Sequence, residues 1–138
     1  MTVFLDANIL FSASLPKSLL ADFLGGLKRH ATLLTNVYAR TEAERNIAAK
    51  APQRLAAHQE FAEKLQVVPL LVFDLDVKLA EKDRPILCGA IAAHADYLLT
   101  GDKKDFGHLY GHTVRGVKIV SVQLLLADLT ARGIVSEP

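Results

Sequence analysis

Ala95-Asp96-Tyr97-Leu98-Leu99-Thr100-Gly101-Asp102-Lys103-Lys104-Asp105-Phe106 reads as a short apolar strand, Ala95–Thr100, that runs out into a glycine and an acid, with a second acid three residues on. Just upstream, Lys82-Asp83-Arg84-Pro85-Ile86-Leu87 places an acid before a proline-opened helix expected over Ile86–His94, which Asp83 can cap. At the N-terminus the apolar run Thr2–Leu5 reads as a buried strand and closes on Asp6. The same grammar, an apolar run that ends at an acid with a helix beyond, thus occurs at both ends of the chain.

The segments between keep the alternation. Pro16 opens a helix with Leu19, Leu20, Phe23, Leu24 and Leu27 on one face, weakened near its end by Gly25-Gly26. Ala31–Leu34 reads as a second strand, with Thr35 or Asn36 able to cap a helix over Val37–Lys50. Pro52 opens a further helix to about Gln66. Val67–Phe73 reads as a third strand, with Pro69 marking an edge or irregular start. Val117–Val120 is a fifth, followed by a helix capped by Ser121 and closed just before Gly133. Strands alternating with helices imply a parallel sheet covered on both faces. Ligands of such sheets bind beyond the carboxyl ends of the strands, where the strand order reverses. Asp6 and Asp102 would meet there if the first and fourth strands were central neighbours, an adjacency that the sequence does not itself supply.

The 138 residues, 51% hydrophobic, suit one domain over 1–138 with a substantial core and argue against disorder. No apolar run reaches the ~18 residues of a membrane span, and the N-terminus lacks the basic region of a signal peptide, so a cytoplasmic protein is expected. The single Cys88 excludes an intrachain disulfide framework and thiolate zinc clusters, and its apolar neighbours mark it as a small buried thiol. The five histidines form no close-set metal pair; His108 and His112 are expected on surface loops. A net charge of +1 gives no global attraction to polyanions, so nucleic-acid binding would need local basic patches or a metal.

Asp6, Glu42, Asp83 and Asp102, with Asp105 as a fifth candidate, could converge at one sheet edge. Carboxylates forced together repel and resist ionisation unless a cation intervenes. Mg²⁺ or Mn²⁺ suits such an oxygen-rich set, and these cations support phosphodiester hydrolysis. Asp6 and Asp102 are expected as the central ligands, Glu42 and Asp83 as outer or water-mediated partners, and Asn8 and Thr100 as hydrogen-bonding residues that orient a ligand or water. Lys103, Lys104, Arg45 and Arg84 could form a basic rim that holds flanking phosphates, and Tyr110 could stack on a base, whereas Phe106 suits the core. Each acid also has a plainer reading: Asp83 as a helix cap, Asp102 as a turn residue, Glu42 as a solvated partner of Arg45. Asp6 is the hardest to explain so, because it interrupts an apolar stretch that continues through Ile9, Leu10 and Phe11. Asp96 precedes its strand and is a helix–strand turn residue at the wrong end for this site.

Over nearly its whole length the chain resembles the PIN-domain ribonucleases, the family that includes the VapC toxins of bacterial toxin–antitoxin pairs. The resemblance rests on Phe4-Leu5-Asp6-Ala7-Asn8-Ile9-Leu10, on Glu42-Ala43-Glu44-Arg45-Asn46, and above all on the Lys82–Leu87 and Ala95–Phe106 stretches. It implies a three-layer α/β/α fold with a five-stranded parallel sheet, and endonuclease activity on RNA dependent on Mg²⁺ or Mn²⁺. By the family pattern Asp6, Glu42, Asp83 and Asp102 carry the metal site and Asp105 is auxiliary; Glu44 is the alternative to Glu42. It also implies a homodimer and a neutralising antitoxin. RNA as substrate comes from the resemblance alone.

Two other functions compete. Leu70-Leu71-Val72-Phe73-Asp74-Leu75-Asp76 imitates the first motif of haloacid-dehalogenase-type phosphotransferases, with Asp74 as nucleophile and Asp76 as acid/base, but begins past mid-chain and leaves Asp6 and Glu42 unexplained. A PIN-like fold can also serve as a non-catalytic interaction module, against which the presence of all four expected acids counts.

Overall fold

The computed structural model describes residues 1–135. Its centre is the strand β1 (Thr2–Leu5), whose Val3, Phe4 and Leu5 are fully buried. Together with β2 (Thr32–Asn36), β3 (Gln66–Val68), β4 (Tyr97–Leu99), β5 (Thr113–Val114) and β6 (Val117–Val120), it forms one sheet in the order β3-β2-β1-β4-β6-β5. All pairs are parallel except β5 with β6. The first and fourth strands are therefore central neighbours, in a register that pairs Leu5 with Leu99 and sets Asp6 beside Thr100. Between them the chain order reverses, β2 and β3 lying to one side and β6 and β5 to the other.

Helices flank the sheet: α1 (Ala7–Ala13), α2 (Leu19–Leu27), α3 (Val37–Lys50), α4 (Leu55–Glu63), α5 (Arg84–Ala92), α6 (Lys103–Phe106) and α7 (Val122–Ala131). With this strand order, the right-handed rule for parallel crossovers assigns the helices that connect β1, β2 and β3 to one face, and those that lead back to β4 and β6 to the other. The caps are side-chain oxygens: Asp6 for α1, Ser18 for α2, Asn36 for α3, Asp102 for α6 and Ser121 for α7.

The sheet has six strands rather than the five expected. Arg115 and Gly116, both at positive φ, form a two-residue turn that folds Thr113–Val114 back onto β6 as an antiparallel edge. The third strand ends at Val68 instead of Phe73, because Pro69 has no N–H to continue the ladder. Two further differences lie in the helices. α1 occupies the stretch that reads as a continued apolar run, and α2 begins at Leu19 rather than at Pro16. Asp83 makes no capping hydrogen bond to α5. Cys88 is buried, as expected, and its Sγ lies 3.4 Å from the Phe73 nitrogen and 3.3 Å from the Phe73 oxygen, fastening the irregular segment after β3 to α5.

Candidate metal and nucleic-acid site

β1 and β4 end side by side, and the residues that follow them build one network. Asp6 is 4% exposed. Its Oδ1 accepts from the Ala7 nitrogen at 2.6 Å, and its Oδ2 accepts from Thr100 Oγ1 at 2.8 Å and Asn8 Nδ2 at 3.1 Å. Asn8 Oδ1 accepts from the Gly101 nitrogen at 2.8 Å, and Thr100 Oγ1 from the Asp102 nitrogen at 3.1 Å. Asn8 and Thr100 therefore clamp the two strand ends together and fix the Asp6 carboxylate. Burial raises its pKa to about 6, against the lowering effect of the Thr100 and Ala7 hydrogen bonds.

The other acids arrive from helix starts. Asp83 precedes α5, is 8% exposed, and leaves its Oδ2 buried without a hydrogen-bond partner. Burial, with Asp105 beside it, pushes its pKa up to about 7. Asp102 caps α6 by accepting from the Asp105 nitrogen at 3.1 Å. Lys82 Nζ lies 3.0 Å from Asp105, whose carboxyl it holds below the usual range. Carboxylate oxygens of Asp83, Asp102 and Asp105 come within 4.8 Å of one another. This trio lies close enough to share one ion, while the Asp6 carboxylate is engaged by Thr100 and Asn8. Asp6, Glu42, Asp83 and Asp102 nevertheless line one cleft of about 300 Å³.

α3 supplies one wall of that cleft. Glu42, Asn46 and Lys50 recur every four residues and face it, opposite Phe11 of α1. Glu44 points elsewhere, to Arg40 at 3.8 Å and His58 at 3.4 Å. Asn46, Lys50, Phe11 and Lys82 were not singled out by sequence reasoning; the four-residue spacing from Glu42 was the available signal for Asn46 and Lys50. The expected basic rim is scattered. Arg84 bonds Glu81 and lies 4.0 Å from Asp74. Arg45 lies on the other flank of α3, beside Leu70. Tyr110 donates to the Thr100 carbonyl at 2.9 Å, and Phe106 is fully buried. His108 and His112 are exposed, as expected. Asp96 accepts from the Thr2 nitrogen at the opposite sheet edge. Asp74 and Asp76 are solvent-exposed on the irregular segment, and no strand delivers them.

No protein-family model matches the chain, and no curated protein matches its sequence. Solved structures do match. A chain of VapBC2 from Rickettsia felis, in a structure bound to a DNA fragment from their promoter, aligns with a TM-score of 0.68 at 18% identity, over 88% of this chain and 98% of that one. A chain of VapBC-1 from nontypeable Haemophilus influenzae aligns with a TM-score of 0.58 at 16% identity, over 88% and 98%. At these identities the likeness establishes the fold: the α/β sandwich of this chain is the PIN-like fold that the motifs led us to expect, with one additional edge strand.

Proposed function

We propose that the chain is a metal-dependent endoribonuclease, a single PIN-like domain acting as the toxin of a toxin–antitoxin pair. The observation that carries this reading is the convergence on one cleft of acids from just beyond β1 and β4, from α3 and from just before α5, with a buried Asp83 oxygen left unpartnered among them. A buried carboxylate oxygen without a donor is costly, and a hard cation supplies what the protein withholds.

Asp83, Asp102 and Asp105 would hold Mg²⁺ or Mn²⁺, with Asp6 and Glu42 completing the set directly or through water. Such an ion, when bound, lowers the pKa of water and offsets charge on a phosphoryl oxygen. Thr100 and Asn8 keep Asp6 oriented and ionised, and Asn46 and Lys50 supply polar contacts along the same wall.

The VapBC likeness favours a small antitoxin that lies along this cleft. A homodimer can use leucines left exposed on the Leu-rich helices α2 and α7, Leu19 and Leu124 among them. No helix among the described residues is long and apolar enough to cross a membrane, and we place the protein in the cytoplasm.

Cleavage of labelled single-stranded RNA with Mg²⁺, Mn²⁺ or EDTA, run beside Asp6→Asn, tests the reading. We expect cleavage with either ion, none in EDTA, and at least a ~100-fold loss in the variant. Equal rates in the two proteins would refute it.

A further inference from the structure

An acidic cleft repels the strand it cuts, and the net charge of +1 offers no general compensation. Attraction must come from cations placed beside the acids. Lys82 is engaged with Asp105 and Arg84 with Glu81, which leaves Lys50 on the wall of the cleft itself and whatever cations lie just beyond it.

On the far side of the Lys82–Asp105 pair lies a second groove of about 600 Å³, twice the volume of the cleft. Lys78, Lys104 and His108 line it together with Asp105. His108 Nε2 lies 2.7 Å from the Lys78 carbonyl, so that nitrogen carries the proton and fixes the segment before α5 against the turn after α6. Lys78 and Lys104 are exposed and make no ion pair among the described residues. Asp105, the one acid of the groove, is engaged by Lys82 through Oδ2 and belongs to the acid trio. The groove thus presents two uncompensated ammonium groups next to the acid trio, with the Lys82–Asp105 contact as the wall between.

We propose that this groove binds backbone phosphates of single-stranded RNA adjacent to the scissile one, so that the strand passes from the acidic cleft over the Lys82–Asp105 contact onto Lys78 and Lys104. The inference rests on the ribonuclease reading above and adds the path of the substrate. Lysines contact phosphate as point charges, so the groove contributes affinity and register rather than base selectivity.

The test uses the full chain carrying Asp6→Asn, in Mg²⁺, with a fluorescein-labelled single-stranded RNA of about 12 nucleotides. Binding is followed by anisotropy across a salt series. Adding Lys78→Ala and Lys104→Ala is expected to weaken binding about tenfold and to reduce the slope of log affinity against log salt by about 1.4, the sum for two phosphate contacts on a single strand. The control adds Arg29→Ala and Lys64→Ala, which remove the same charge from exposed positions just before β2 and β3, at the opposite sheet edge; it should match the Asp6→Asn parent. Equal affinity and slope in the two double variants would overturn the proposal. Because binding is read without cleavage, the two readings fail separately. Metal-dependent cleavage by the wild type together with unaffected binding removes the groove alone. Absence of cleavage together with lost binding removes the nuclease and keeps the groove.

Discussion

Asp83 and Asp6 sit almost out of solvent, one with an oxygen that no donor reaches and one held by three. Their pKa values, about 7 and about 6, lie well above the ~3.9 of an unfolded aspartate. Between about pH 4 and pH 7 the folded chain therefore binds more protons than the unfolded one, and its stability falls as pH rises through that window. The metal-free protein should lose stability between pH 5 and pH 7.5, seen as a falling melting temperature in EDTA; a rising one would contradict the assigned burial. Thr100 works in the opposite sense, since its hydroxyl donates to Asp6 and favours the carboxylate. Thr100→Val should cost about 1–2 kcal/mol in urea unfolding. It should also move the acid limb of the pH–rate profile upward, a shift that a purely structural hydroxyl would not produce.

At the scale of elements, the site depends on how closely α5 approaches β1 and the start of α3. Gly89 makes the approach: a Cβ there would stand 2.6 Å from Asn36 Nδ2 and 3.0 Å from the Phe4 ring. Asn36 is the N-cap of α3, accepting from the Ala39 nitrogen, and it also donates to the Pro85 carbonyl at 3.1 Å, joining the helices that carry Glu42 and Asp83. Gly89→Ala should destabilise by about 1–3 kcal/mol in urea unfolding and depress cleavage at the same time; an unchanged midpoint would show that Asn36 yields freely. Elements with a local signature were legible in the sequence. Strand β6, the caps Asn36 and Ser121, and Gly133 follow from residue type and spacing. Helix α1 was not, because Ile9-Leu10-Phe11 is as apolar as a strand; its start is marked by Asp6, whose carboxylate accepts from the Ala7 nitrogen. Nor was the β5–β6 hairpin, whose turn places Arg115, a residue without turn preference, at positive φ before Gly116.

For the whole molecule, the decisive relation is one that no local pattern contains: β1 and β4 are paired in parallel although residues 6–96 lie between them. The motifs led to the acids, but only strand order brings Asp6 to Thr100 and Asp102, and only the loops around α5 and α6 draw Asp83, Asp102 and Asp105 into one trio. The fold thus concentrates like charge at the switch point of its sheet, at a cost in stability that a bound cation would relieve. That the trio is a cation site is the central claim, and thermal melting at pH 7.5 with and without Mn²⁺, for wild type and Asp83→Asn, tests it most directly. We predict that Asp83→Asn melts higher than wild type in EDTA, and that Mn²⁺ raises the melting temperature of the wild type but leaves that of the variant nearly unchanged. A wild-type protein indifferent to Mn²⁺, or a variant that responds equally, would contradict the claim.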